Sequence, residues 1–262
     1  MLNRRAAFLN TLCLACAAFT AHAPAQAAAP TGPVAYVSNQ NGDVTVIDLA
    51  TMAPSGTVSA YGKEPRGIGV TSDGKYLVLA NREGGGISVI DRADGTLVKH
   101  IHIGANPEFV RTRGHMAFVT YEPESTGKAP EKPAASGAAA EAAAAPASGV
   151  AGKHDDDDSK DPARVAVVDL DAGKVLRFLQ GGMETEGVEF SADGKDVIVA
   201  NEADNTLTVH DIASGAKVKT IDVKSYGNRP RGIKRSPDGK TYLNTLEFSN
   251  LLLVMDAQFN VV

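Results

Sequence analysis

The chain has 262 residues, with 26 basic against 31 acidic side chains and a net charge of −5. That acidic balance argues against generic phosphate-backbone binding, which needs clustered Lys and Arg. Aromatics make up only 5% and Trp is absent, so few side chains could stack single-stranded bases.

The first residues read as a targeting segment. Arg4 and Arg5 precede an apolar stretch over 6–21, and "AQA" at 25–27 supplies a small-x-small cleavage signature. Residues 1–27 are therefore expected to be a signal peptide and 28–262 an exported, periplasmic chain. The apolar run is short for a bilayer span of roughly 20 residues, and no later segment comes close, so no membrane span is expected. "NRRAAFLN" also resembles a twin-arginine signal, with Phe8 one place late. Cys13 and Cys16 have CxxC spacing but lie inside the signal, and a lipobox reading of Cys16 meets Cys13 where Leu is wanted. With the signal removed, no thiol remains for a disulfide or a CxxCH haem attachment. Basic residues fall from 26 to 24 against an unchanged 31 acidic, a net of −7.

Beyond the signal the sequence repeats. Asp48, Asp91, Asp169, Asp211 and Asp256 each close an apolar run, at spacings of 43, 78, 42 and 45 residues. The 78 is one period plus an insertion. Other columns fall into register: "PRGI" at Pro65 and Pro230 with "PEFV" at Pro107 and "TEGV" at Thr185, and "SDGK" at Ser72 with "SADGK" at Ser191 and "SPDGK" at Ser236. Asn39, Asn81 and Asn201 share a third column, completed by Tyr121 and Leu246. "VTVID", "ISVID", "VAVVD" and "LTVHD" are short Val/Ile-rich runs bounded by turn residues, which is strand chemistry. Asp-Gly pairs at 73–74, 193–194 and 238–239 mark tight turns between adjacent strands. Four short strands in about 42 residues is the blade of a β-propeller.

"AYVSNQNGDVTVID", "PRGIGVTSDGKYLVLANREGGGISVID" and "PRGIKRSPDGK" resemble the YVTN-family β-propeller repeat proteins, the YncE-like group. The resemblance implies a seven-bladed, usually exported propeller, more distantly similar to the haem-d1 propeller of nitrite reductases. It implies no particular reaction. The expected fold class is all-β, with four-stranded antiparallel blades, about five of them present: one three-stranded, three complete and one clipped. The strand count reads as a truncated seven-bladed propeller, with a small five-bladed ring as the alternative.

Residues 122–162 form an Ala/Pro/Asp-rich insertion in the third blade, expected to be disordered because its composition cannot build a core. It falls between the second and third strands, on the same face as the loops that join one blade to the next. Two polar columns share that face: Arg66, Glu108, Glu186 and Arg231 after the proline, and Arg82, Glu122, Glu202 and Glu247 after the asparagine. Both are expected near the mouth of the central channel, where three arginines and five carboxylates could hold an anion, a cation or a peptide. The competing reading is mutual salt bridging around a solvated rim, with each exposed pair contributing little.

The remaining motifs weigh less. "HDDDD" from His154 lacks the alternating ligands and glycine of a calcium loop and reads as a solvated acidic run. His100 and His102 share one face of an outer strand, His115 stands where other repeats have a turn Lys, and His210 sits beside Asp211. Neither His115 nor His210 has an evident acid or nucleophile partner in sequence. No G-x-S-x-G, phosphate loop or H-E-x-x-H occurs, and the absent Trp removes the docking motifs of quinoprotein dehydrogenase propellers. The expectation is a non-catalytic exported binding or scaffold propeller with no cofactor and no metal, engaging a protein or small-molecule partner through its mouth face and its insertion. Two alternatives follow from the resemblance: an accessory of periplasmic quinone- or haem-dependent oxidation that binds a cofactor non-covalently, and single-stranded DNA binding, against which the charge argues.

Overall fold

The computed structural model describes residues 32–123 and 161–262. The expected signal peptide, with the CxxC pair, and most of the expected insertion, including the aspartate run, lie outside the described residues.

Five antiparallel sheets follow one another in chain order. The first holds β1 (Val34–Val37), β2 (Val44–Asp48) and β3 (Ala53–Val58). The second holds β4 (Lys63–Val70), β5 (Tyr76–Glu83), β6 (Gly86–Asp91) and β7 (Leu97–His102). The third holds β8 (Pro107–Arg113), β9 (Met116–Tyr121), β10 (Arg164–Asp169) and β11 (Lys174–Gln180), and the fourth β12 (Thr185–Phe190), β13 (Asp196–Asn201), β14 (Thr206–Asp211) and β15 (Lys217–Asp222). The fifth holds β16 (Pro230–Arg235), β17 (Thr241–Leu246) and β18 (Leu251–Asp256). The architecture is a β-propeller with one three-stranded blade, three complete ones and a further three-stranded one, as the repeat pattern predicts. Among the described residues no helix is long and apolar enough to cross a membrane.

The repeated aspartate is a turn-former. Its Oδ1 accepts backbone N–H groups two or three residues on, from Ala50 to Asp48, Ala93 to Asp91, Ala172 to Asp169, Ser214 to Asp211 and Gln258 to Asp256. That side-chain turn reverses the chain directly after the strand that the aspartate closes. The Asp-Gly turns work differently: a hydroxyl donates to the aspartate while glycine takes the left-handed conformation, at φ 71°, 70° and 73° for Gly74, Gly194 and Gly239. The residue equivalent to Ser191 and Ser236 is Thr71, one place before the expected Ser72, since Thr71 makes the matching bond to Asp73 at 2.7 Å.

Blades stack through both faces of each sheet. Along β5, Leu77 and Leu79 pack towards the first blade with Val44 and Tyr36, while Val78 and Ala80 pack towards the third with Val119 and Ala166. Along β13, Val197 and Val199 meet Phe118 and Val165, and Ile198 and Ala200 meet Ile233 and Tyr242. This is why the middle strands are continuous apolar runs rather than alternating ones. Each such side chain contributes about 1.5–3 kcal/mol on burial.

The inner strands β4, β8, β12 and β16 stand side by side around the axis. The glycine of the P-x-G motif permits that approach. A Cβ on Gly67 would lie 2.6 Å from Phe109 Cα and 2.6 Å from Val110 N of the next inner strand. One on Gly187 would collide with the Arg231 carbonyl.

Candidate functional site: the channel mouth

All four inner strands slip register at the same place: between Pro65 and Ile68, Pro107 and Phe109, Thr185 and Val188, and Pro230 and Ile233. A bulge re-aims the side chain it carries. The residues so re-aimed are Arg66, Glu108, Glu186 and Arg231. The residue just before each bulged segment is held in the left-handed region in every repeat: Glu64 at φ 50°, Asn106 at 49°, Glu184 at 52° and Arg229 at 60°. For non-glycine residues this conformation stores on the order of 1–3 kcal/mol each and clusters at functional sites. Only Asn106 is of a residue type that favours this conformation, so the third column is barely visible in sequence.

The three columns interlock. Arg66 pairs closely with Glu108, whose side chain is 4% exposed. Arg82 donates from Nε to Asn106 at 2.6 Å, and Asn106 donates in turn to Glu122 at 3.1 Å. Arg231 reaches Glu186 and Glu202 at 3.3 Å and Glu247 at 3.2 Å. Arg229, absent from the sequence-based set, pairs with Glu184 at 2.6 Å, closely with Glu202, and with Glu247 at 3.6 Å. The structure thus draws the eight expected residues into three groups, around Arg66, around Arg82 and around Arg231, and adds Glu64, 3.8 Å from Arg82, with Asn106, Glu184 and Arg229 to them.

The mutual salt bridging is present around this rim, but its centre is not solvated. Glu202 and Arg229 have side chains 1% and 6% exposed. Desolvation dominates there. Burial, and then the neighbouring Glu186 carboxylate, push Glu108 up to about 7 against the pull of Arg66. Burial, with Glu186 beside it, pushes Glu202 up to about 8 despite Arg231 and Arg229. Burial likewise raises Glu186, opposed by Arg231 and Arg66. The geometry of each ion pair favours the charged carboxylate, but seven carboxyls share four guanidiniums. Burial and mutual repulsion therefore outweigh the pairing. The mouth can accept or release protons near neutrality, and Arg66 and Arg231 keep part of their surface in solvent.

The histidines are placed elsewhere. His115 lies on the opposite face and does have acid partners: Nε2 meets Asp73 at 2.8 Å and Nδ1 meets Asp171 at 2.8 Å. It was illegible because the partners stand 42 and 56 residues away in sequence. The two carboxylates lie off opposite ring nitrogens, so they staple two blades rather than converge on a metal. His210 is buried in β14, pushed down to about 4 by burial and then by Lys217. His100 and His102 both face outward on β7.

These inner strands, bulges and stacked blades recur with the period of the sequence. The chain is a repeat β-propeller. A family model described as "Lactonase, 7-bladed beta-propeller" matches residues 10–109, which take in the first two blades and the start of β8. No curated protein matches the chain.

Proposed function

We propose that the protein is an exported β-propeller of the YVTN, YncE-like kind that binds a small organic ligand at its channel mouth. The observation that carries this reading is the arc Arg66–Glu108–Glu186–Arg231 on four consecutive inner strands, with guanidiniums at both ends and desolvated carboxyls between. Such an arc presents donors at its ends and acceptors at its centre. It suits a ligand with carbonyl or carboxyl oxygens at its extremities and hydroxyls between them. Desolvation makes each such hydrogen bond worth more than it would be on a wet rim. The N-terminal sequence, with its basic and apolar regions and small-x-small site, supports the exported, periplasmic part of this reading.

Calorimetric titration with D-glucono-1,5-lactone and with gluconate tests this reading, using Arg66→Gln/Arg231→Gln as the control. Saturable heat in the parent protein that vanishes in the double variant supports it. Absence of heat in both, with both proteins folded, refutes it for this class of ligand.

A second reading is hydrolysis of a cyclic ester, favoured by the partial match to a family named for lactonases and by Glu108. A carboxyl that titrates near 7 can take a proton from water as that water attacks the ester carbonyl, while Arg66 stabilises the developing oxyanion. The ring C–O bond then breaks and the proton passes to the leaving alkoxide, giving the hydroxy acid. A pH-stat record of acid release from the same lactone separates the two: turnover lost in Glu108→Gln supports catalysis, and binding without turnover leaves the binding reading.

A further inference from the structure

Three residues further along each inner strand lies a second tier, about 10 Å deeper at strand rise. Its column reads Gly69, Arg111, Glu189 and Lys234. None of these belongs to the mouth. Glu189 is saturated: Arg111 Nη2 donates to both of its oxygens at 2.8 Å, and the Phe190 N–H donates to Oε1 at 2.8 Å. The Arg235 N–H reaches Oε2 at 3.4 Å. Its side chain is 2% exposed, so it has little capacity left for anything else.

The two cations flanking it are not saturated. Arg111 uses only Nη2 in these contacts and keeps Nε and Nη1 free among the described partners, with a third of its side chain exposed. Lys234, on the other side of Glu189, makes no hydrogen bond or ion pair among the described residues. It stays accessible on β16, yet burial by the surrounding inner strands, and then the Arg111 charge, hold its ammonium below the ordinary range. Summed over Arg111, Glu189 and Lys234, the tier carries one net positive charge.

We propose that Arg111 and Lys234 form an anion site inside the channel, separate from the mouth, for the carboxylate or phosphate group of a small molecule. A planar guanidinium edge and a point ammonium set on either side of a neutralised carboxylate match an oxyanion that presents one oxygen to each. An arriving anion would complete the missing ion pair of Lys234 without displacing any contact that holds the blades together.

The test is covalent capture of the full-length protein with pyridoxal 5′-phosphate, compared with pyridoxal, which lacks the phosphate. The aldehyde condenses with a neutral lysine amine, losing water, and borohydride delivers hydride to the imine to fix the adduct for peptide mapping. The expected result is labelling of Lys234 about tenfold faster than Lys174, Lys217, Lys224 and Lys240, a difference of about 1.4 kcal/mol. It should appear with the phosphate-bearing aldehyde and not with pyridoxal, and inorganic phosphate should suppress it. Arg111→Met/Glu189→Gln, which removes both partners together, should lose the selectivity. Equal labelling by both aldehydes, or labelling that phosphate does not suppress, would mark a merely reactive amine and overturn the proposal. Lys234 reacting no faster than the surface lysines would overturn it too. None of these readouts involves Arg66 or Arg231, so failure here and failure of the mouth reading are separate results.

Discussion

Gly67→Ala and Gly232→Ala change the same letter of the same motif, "PRGI", and should behave differently. At Gly67 the new methyl would stand 2.6 Å from two backbone atoms of β8 and 2.7 Å from the Glu108 carbonyl. Restoring contact to the roughly 3.5 Å optimum requires the two inner strands to part by about 1 Å. Since backbone cannot swing aside as a side chain can, the loss belongs at the upper end of the overpacking range, about 2–3 kcal/mol. For a domain of this size that is a fall in Tm of about 4–12 °C. At Gly232 the methyl would meet only Thr245 Oγ1, at 3.2 Å. Thr245 Oγ1, which accepts from the Gly232 N–H at 2.8 Å, need give only a few tenths of an ångström, which limits the loss to about 1 kcal/mol or less. Urea unfolding followed by circular dichroism measures both, with unchanged slopes showing that stability rather than compactness moved. Equal effects in the two variants, or a loss at Gly67 under about 0.5 kcal/mol, would refute backbone contact between inner strands as the reason for the glycine.

Other outcomes follow from the same contacts. Glu108 has a folded pKa raised to about 7 above its ordinary 4.5, so its contribution is complete below about 4.5 and is lost as pH rises through 7. At 1.36 kcal/mol per unit this is about 3 kcal/mol, and Glu108→Gln should flatten that part of the stability–pH curve. His115 is also raised, by its bonds to Asp171 and Asp73; its contribution is complete below about 6.5 and lost above its folded value. His115→Gln should therefore lower Tm at pH 6 more than at pH 9, and an equal effect at both would contradict the staple. Arg229→Met leaves the buried Glu202 without its closest partner and should cost about 3 kcal/mol. Adding Glu202→Gln should recover part of that loss, and strict additivity in the double-mutant cycle would argue against coupling.

The fold was legible because its signals are local. An aspartate that bonds its own turn, an Asp-Gly pair and a run of Val and Ile each report on a handful of residues, and the period multiplies them. The outline of the mouth was legible for a similar reason: Arg66, Glu108, Glu186 and Arg231 follow the same proline or threonine in each repeat. What stayed hidden depends on contacts between repeats. Nothing in the sequence marks Arg229, just before Pro230, and two of the glutamates it pairs with, Glu184 and Glu202, come from the preceding blade. Arg111 and Glu189 are 78 residues apart, and no motif links them in sequence. His115 looked like a variant turn because Asp73 and Asp171 arrive from other hairpins. Burial, rather than residue type, separates a desolvated arc from a wet rim.

The most direct test is a titration of the glutamate side-chain carboxyls by ¹³C nuclear magnetic resonance, assigned by single Glu→Gln substitutions. A desolvated mouth requires that Glu108 titrate at about 7 and Glu202 at about 8, well apart from the surface glutamates. If every glutamate instead titrates near its ordinary 4.5, the mouth is a solvated rim of salt bridges and the ligand site built on it falls.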